Sequence, residues 1–156
     1  MRSLIIICLF AMAIAGCSTK PEAIVRPVGS ERYQVAEAAL RHVMDEFSTS
    51  GEERKVCSAY VIDSGEFTSK LVVAFSNYTP KVVANIRIST NGTFTDAMTG
   101  KAVRLWSVDA VEIHGDRAIA NVSCAASGLD GVGFTVNLRH KDGKWVFESE
   151  TVNAVS

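Results

Sequence analysis

Apolar and polar positions recur at helical spacing over residues 31–47. Apolar side chains return every three or four residues on one side and charged side chains fill the other, which predicts an amphipathic helix of about 16 residues. The last third of the chain has a different pattern. Apolar runs alternate with polar residues and are separated by Gly-Asp, Asp-Gly and Gly-rich turns, which predicts an antiparallel meander of four strands over residues 102–114, 117–127, 134–140 and 144–152.

The middle of the chain is less regular. Residues 56–63 and 81–89 are rich in strand-forming side chains, and each predicts a strand. Residues 67–77 fit either a helix face or a buried strand, and a helix is the preferred interpretation. A change of phase near residues 109–111 predicts a bulge in the first strand of the meander. The second strand has small side chains on one face, which would admit the helix closely or leave a cavity.

The first apolar run, residues 4–14, is too short to cross a membrane, because a spanning helix needs about 20 apolar residues. A positive charge at Arg2 precedes the run and small residues follow it, as in a secretory signal. The sequence Ile14-Ala15-Gly16-Cys17 resembles the lipobox of bacterial lipoproteins. The alternative is a buried N-terminal helix with a cysteine in the core.

The lipobox resemblance implies a cellular location and a lipid anchor. In that family the cysteine receives a diacylglycerol and the preceding peptide is removed, so Cys17 would become the first residue of the mature chain. Residues 1–16 are then the signal peptide, residues 17–30 a lipidated cysteine with a flexible tether, and residues 31–156 a single domain. Ser18 in place of aspartate implies the outer membrane of a Gram-negative cell, with the domain in the periplasm.

Charge and cysteine content agree with export. The chain has 16 basic and 17 acidic side chains, and removing Arg2 leaves 15 against 17, with no basic stripe. We therefore expect no nucleic-acid partner. After processing, Cys57 and Cys124 remain as the unmodified cysteines in an oxidising compartment, which predicts one structural disulfide; two buried thiols are the alternative.

The domain also resembles the cystatin-like and nuclear-transport-factor-2-like superfamily. The residues that carry the resemblance are VEIHGDRAIANVS at 111–123 and FTVNLRHKDGKWVFES at 134–149. It implies an α+β fold in which an N-terminal helix packs on a curved antiparallel sheet. The superfamily includes isomerases, dehydratases, binding modules and inhibitors, so the fold alone decides no function.

The isomerases of that superfamily place a carboxylate base and a tyrosine in an apolar cavity. The candidates by position here are Tyr33, Tyr60, Asp63 and Asp109; the alternative is that they are rim polar residues and a core tyrosine. No histidine has metal-ligand spacing, and no metal or cofactor is expected. We therefore expect a non-enzymatic, lipid-anchored binding or adaptor protein whose partner is an envelope protein or small ligand. The alternative is a small isomerase-like or dehydratase-like enzyme.

Overall fold

The computed structural model describes residues 28–49 and 59–155. The predicted signal peptide, Cys17 and Cys57 lie outside these ranges. Helix α1 begins three residues inside the segment predicted as a tether. The elements are α1 (Val28–Thr49), β1 (Ala59–Ile62), a 3-10 turn (Gly65–Phe67), α2 (Thr68–Ala74), β2 (Lys81–Val83), β3 (Ile86–Ile88), β4 (Phe94–Asp96), β5 (Val103–His114), β6 (Arg117–Ser127), β7 (Asp130–Lys141) and β8 (Lys144–Val155).

The last four strands form the predicted meander. Strands β5 to β8 pair in sequence order, and every pairing is antiparallel. The turn between β7 and β8 has two consecutive left-handed residues, Asp142 at φ 50° and Gly143 at φ 79°. This backbone matches the right-handed twist of the flanking strands, which is why Asp-Gly favours a two-residue hairpin. The hairpin prediction is confirmed.

The predicted all-antiparallel sheet is wrong. The main sheet is mixed, with the order β2-β1-β5-β6-β7-β8, and β1 runs parallel to both of its neighbours. Every residue of β1 is buried, so the strand has no polar face. A short strand buried on both faces is typical of a parallel sheet, in which a helical crossover connects one strand to the next. Here α2 makes that crossover, so the fold expected from the cystatin-like and nuclear-transport-factor-2-like resemblance does not describe this chain.

The strand predicted over residues 81–89 is also wrong, because the segment divides into two. Strand β2 joins the main sheet, whereas β3 turns back to pair with β4 as a separate antiparallel ribbon. Phe94 of this ribbon is buried with Ala59 and Val61 of β1 and Val103 of β5. Alternate residues of a strand face opposite sides, so the ribbon covers the side of β1 that lies away from the main core.

Helix α1 covers the other face of the sheet. Its buried side chains pack in one cluster with the small side chains of β6, which settles the choice between helix packing and a cavity in favour of the helix. Residues 67–77 also adopt the preferred structure, a 3-10 turn followed by α2, with Leu71 and Phe75 fully buried. The residues of α1 and β6 that share this cluster are Val35, Ala36, Ala39, Leu40, Val43, Met44, Ala118, Ala120, Val122 and Cys124.

Candidate functional site

The four candidate residues lie in three different environments. Tyr60 is fully buried, and its ring meets that of Trp106 edge-on, with 5.8 Å between the ring centroids. This is an ordinary aromatic contact of a packed core. Tyr60 therefore corresponds to the alternative interpretation, a core tyrosine.

Tyr33 lies on α1, half-buried against the 3-10 turn. Its ring contacts Phe67 edge-on at 6.2 Å between centroids, and Lys70 Nζ lies 5.8 Å from the ring centre. Burial and a hydrogen bond with Glu37 raise the pKa of the Tyr33 hydroxyl to about 12. The hydroxyl is therefore protonated at neutral pH, and it donates to Glu37 one turn further along α1.

Asp63 and Asp109 do come together. Both line an open cleft of about 530 Å³ between the end of β1 and the middle of β5, which we call the bulge cleft. A cleft of this size is within the range of small-ligand sites. Its lining residues are Arg32, Asp63, Ser64, Gly65, Glu66, Phe67, Leu105, Ser107, Val108, Asp109, Ala110 and Val111.

A β-bulge positions Asp109. The register between β5 and β6 shifts between Val108 and Ala110, so Asp109 has no opposite residue in β6 and its side chain is exposed. Ser107 Oγ donates a hydrogen bond to Asp109 Oδ1 at 2.8 Å and also lies 2.6 Å from Ser123 Oγ. The predicted bulge is confirmed, and it is the feature that places a carboxylate at the cleft.

The end of β1 is fixed to the same part of β5. The backbone N–H of Asp63 donates to the carbonyl oxygen of Trp106 at 2.8 Å. Val108 N–H donates to the buried Ser64 Oγ at 3.0 Å. The pairing of β1 with β5 ends at Ile62 and Trp106, so the Ser64 side chain supplies the acceptor for the next N–H of β5 on that side. These two bonds hold the two walls of the bulge cleft together.

The bulge cleft is predominantly acidic. Asp63, Glu66 and Asp109 are exposed, and the cationic side chain of the cleft is Arg32, whose Nη1 lies 4.0 Å from Glu66 Oε1. Exposed carboxylates keep their hydration, unlike a catalytic base held in an apolar pocket. The arrangement can attract ammonium or guanidinium groups, and it lacks the desolvated acid that proton abstraction at carbon needs.

Sequence reasoning named the two aspartates and missed Arg32, Ser64 and Glu66. The phase change near residue 109 located the bulge, but the other three residues reach the cleft through the packing of α1 and of the turn after β1. No local signal in the sequence reveals that packing.

Cys124 is buried on β6, and Arg104 Nη1 lies 3.8 Å from its Sγ. Its predicted disulfide partner, Cys57, lies outside the described residues, so the disulfide stays a prediction. Within residues 28–49 and 59–155 no three or more histidine, cysteine or acidic side chains group in a way that could hold a metal ion. Neither described helix combines the length and apolar character of a membrane span.

Comparison of the chain with protein-family models, with curated proteins and with solved structures finds no match. The bulge cleft and the fold around it are therefore interpreted from their own geometry.

Proposed function

We propose that this chain is a non-enzymatic binding or adaptor protein of the bacterial envelope, anchored by lipid at Cys17 with its domain facing the periplasm from the outer membrane. The anchor rests on the lipobox-like sequence Ile14-Ala15-Gly16-Cys17 behind a short apolar run. Two or more acyl chains on one residue hold a protein at a membrane stably, whereas one chain binds only reversibly.

The exposure of the candidate acids is the observation that favours binding over catalysis. Asp63 and Asp109 lie at the surface of an open cleft, while the tyrosine nearest to Asp63 in sequence, Tyr60, is packed against Trp106 in the core. An isomerase needs the acid and the hydroxyl in one water-excluding pocket. Here the acids are exposed at the open cleft, and the Tyr60 ring is fully buried in the core.

The bulge cleft is the surface on which we place the partner. Three carboxylates against one guanidinium favour a protein segment that carries lysine or arginine side chains. Long-range attraction and hydrogen bonds between charged groups would stabilise such a contact, and its affinity would fall as the salt concentration rises.

The anchor is tested by Cys17→Ser in the full-length chain. Wild-type protein should incorporate labelled palmitate and sediment with membranes, and the variant should do neither. Palmitate incorporation that persists in the variant would disprove lipidation at Cys17.

The partner surface is tested by site-specific photo-crosslinking in living cells. A photoreactive amino acid at Asp109 should capture one discrete partner, and the same amino acid at Thr151 serves as control, because Thr151 is an exposed position of β8 that does not line the cleft. The adduct should weaken when Asp63→Asn is added. Equal capture from both positions, or capture unaffected by Asp63→Asn, would contradict a partner at the bulge cleft.

A further inference from the structure

A second cleft lies on the face of the sheet that is turned away from α1. Ala118, Ala120 and Val122 of β6 pack toward the helix, so the alternate residues of this strand face the other side. The ribbon of β3 and β4 covers that side near Leu105 and Ala125, toward the end of β6. Near the start of β6 the same face holds a cleft of about 430 Å³, which we call the outer cleft. The side chains that line it on this face are His114, Arg117, Ile119, Asn137, Glu148 and Ser149.

The polar side chains of the outer cleft are mostly flat groups that offer two hydrogen-bonding atoms side by side. Arg117 is exposed, and no ion pair or hydrogen bond engages its guanidinium among the residues that the structure describes. Asn137 Nδ2 donates to Ser149 Oγ at 3.2 Å, which leaves the amide oxygen of Asn137 as an acceptor and the Ser149 hydroxyl as a donor. Arg139 Nε lies 3.1 Å from Glu148 Oε1, so the second carboxylate oxygen of Glu148 can accept from a ligand.

The charges at the outer cleft balance. Its charged lining groups are the guanidinium of Arg117 and the carboxylate of Glu148. Just outside, Arg139 lies opposite Arg117 in the pairing of β6 with β7, and Glu112 Oε2 lies 3.6 Å from His114 Nε2. Two guanidinium groups therefore stand against two carboxylates. The cleft has no excess charge that would select an ion of either sign, but it has donors and acceptors of both kinds.

The face beside the cleft continues with uncharged polar side chains. Ile119, Asn137 and Ser149 lie opposite one another across three strands. Two residues further along β6, Thr135 Oγ1 donates to Asn121 Oδ1 at 3.2 Å. Asn153 Nδ2 in turn donates to Thr135 Oγ1 at 2.9 Å.

This polar row is open to a ligand. Asn121 and Asn153 are exposed, and each keeps part of its amide unused, the Nδ2 donors of Asn121 and the Oδ1 acceptor of Asn153. Exposed protein surfaces are usually rich in lysine, arginine and acidic side chains. A row that carries amides and hydroxyls instead suits a polar ligand without charge.

We propose that the outer cleft binds a sugar ring of a neutral oligosaccharide. Neighbouring hydroxyls of a sugar each donate and accept, so a flat group with two adjacent donors or acceptors matches a pair of them. Arg117 donates to such a pair, and Asn137 Oδ1 and Glu148 accept from others. Ile119, which is half-buried, packs against the C–H face of the ring.

The next sugar of the chain lies on the row of Asn121, Thr135 and Asn153. This row is two residues further along the strands, a distance of roughly 7 Å, which a neighbouring sugar ring can span. The outer cleft shares no lining residue with the bulge cleft, and it does not depend on the lipid anchor. It therefore holds or fails separately from the function proposed above.

The proposal is tested by binding of the full-length chain to a panel of fluorescently labelled oligosaccharides. The panel contains glucose, mannose, galactose and N-acetylglucosamine series, each from monomer to trimer. The protein is held in a polyoxyethylene detergent, because alkyl glycoside detergents present sugars themselves. At least one neutral series should bind in a saturable way, and oligogalacturonate, an acidic relative of the galactose series, should bind no more tightly than the best neutral series. Failure of every neutral series, or tighter binding of oligogalacturonate, would overturn the proposal.

Salt separates this site from the bulge cleft. The affinity for the neutral sugar should change by less than about twofold when salt is raised to ~0.5 M, because the ligand has no charge to be screened. Partner binding at the bulge cleft should weaken under the same conditions. A sugar affinity that falls steeply with salt would indicate charge attraction and would overturn recognition of a neutral sugar.

Two variants test the location. Arg117→Lys keeps the charge and removes the flat fork of donors, and Asn137→Ala removes the carboxamide. Each should weaken sugar binding by about threefold to tenfold. Asn85→Ala is the control, because Asn85 is exposed between β2 and β3 and does not line the cleft; it should bind as the wild type does. An unchanged circular dichroism spectrum verifies the fold of each variant. Wild-type affinity in both cleft variants would place the sugar elsewhere and overturn the site.

The length of the ligand is tested by comparing monomer and trimer of the series that binds. The trimer should bind more tightly than the monomer, because it also contacts the polar row. Asn153→Ala should weaken binding of the trimer and leave that of the monomer unchanged. Equal affinities for the monomer and the trimer would overturn the contact with the polar row.

Discussion

The imidazole of His42 on α1 stacks on the phenyl ring of Phe147 on β8, with 3.5 Å between the ring centroids and 17° between the planes. His42 Nε2 also lies 3.1 Å from Glu150 Oε2 on the same strand. The pairing of β8 with β7 shifts register between these two contacts, so both side chains point toward α1 from either side of a bulge. The helix is thereby joined to the last strand of the sheet, whose pairing is otherwise only with β7 among the described strands.

His42→Ala should lower the free energy of unfolding by about 1–3 kcal/mol, because it removes the ring stacked on Phe147 and the contact of the imidazole with Glu150 Oε2. Urea unfolding followed by circular dichroism measures the change. His114→Ala is the control, since His114 is mostly exposed and its Nε2 lies 3.6 Å from Glu112 Oε2 on its own strand; it should change stability by less than about 0.5 kcal/mol. Equal effects of the two variants would contradict a joining role for His42.

Ser64→Ala should destabilise the domain by about 1–3 kcal/mol, because the buried N–H of Val108 loses its acceptor beyond the end of β1. Its effect should also appear as faster hydrogen exchange of the Val108 amide. Ser76→Ala serves as control, because Ser76 is exposed after the end of α2. Unchanged exchange of the Val108 amide would show that the Ser64 hydroxyl is not its hydrogen-bond acceptor.

Tyr78 should make stability fall at alkaline pH. Burial, followed by the hydrogen bond that its hydroxyl donates to Asp45, raises the Tyr78 pKa above its usual value of about 10. The unfolded tyrosine loses its proton first as the pH rises. Its contribution to stability is therefore fully present below pH ~10 and is lost as the pH rises through the folded pKa.

Urea unfolding between pH 8 and pH 11 tests this titration. The free energy of unfolding should decline above pH ~10 in the wild type and decline less steeply in Tyr78→Phe, which has no proton to lose. Tyr33→Phe should also reduce the slope, because the Tyr33 pKa is raised to about 12. Identical slopes in the wild type and Tyr78→Phe would contradict a raised pKa at Tyr78.

The disulfide prediction is tested by alkylating the unreduced, denatured chain from the periplasm. Cys57 and Cys124 should be blocked before reduction and labelled after it. Reactive thiols at both positions before reduction would favour the alternative of two buried thiols.

Local signals in the sequence predicted the parts of the fold that depend on neighbouring residues. The Asp142-Gly143 turn, the bulge at Asp109 and the helical spacing of α1 each depend on residues close along the chain, and each is present. The parallel insertion of β1 depends on residues far apart. Its four apolar residues fit either sheet type, because periodicity does not report which strand lies beside a buried run.

The candidate sites likewise depend partly on local sequence and partly on residues far apart in the chain. Trp145 lies in the core, and its indole nitrogen has no hydrogen-bond partner among the described residues, which no local pattern in the sequence reveals. The sequence pattern of α1 placed Glu37 and Arg41 on an outer, solvated side. Both are instead half-buried: Ala74 and Phe75 at the end of α2 lie against Arg41, and Arg41 is paired with Glu37.

The position of β1 in the chain also determines when its strand pairing can be completed during synthesis. Both of its partners come later in the chain, and Ala59 meets Val103 only after about 44 further residues are made. Until then the apolar run of β1 has an open edge on the side that β5 will occupy, which is a template for pairing with other chains. The hairpins of β5 to β8 close over short loops and form quickly. A chain interrupted before β5 therefore exposes the strand that lies at the centre of its core.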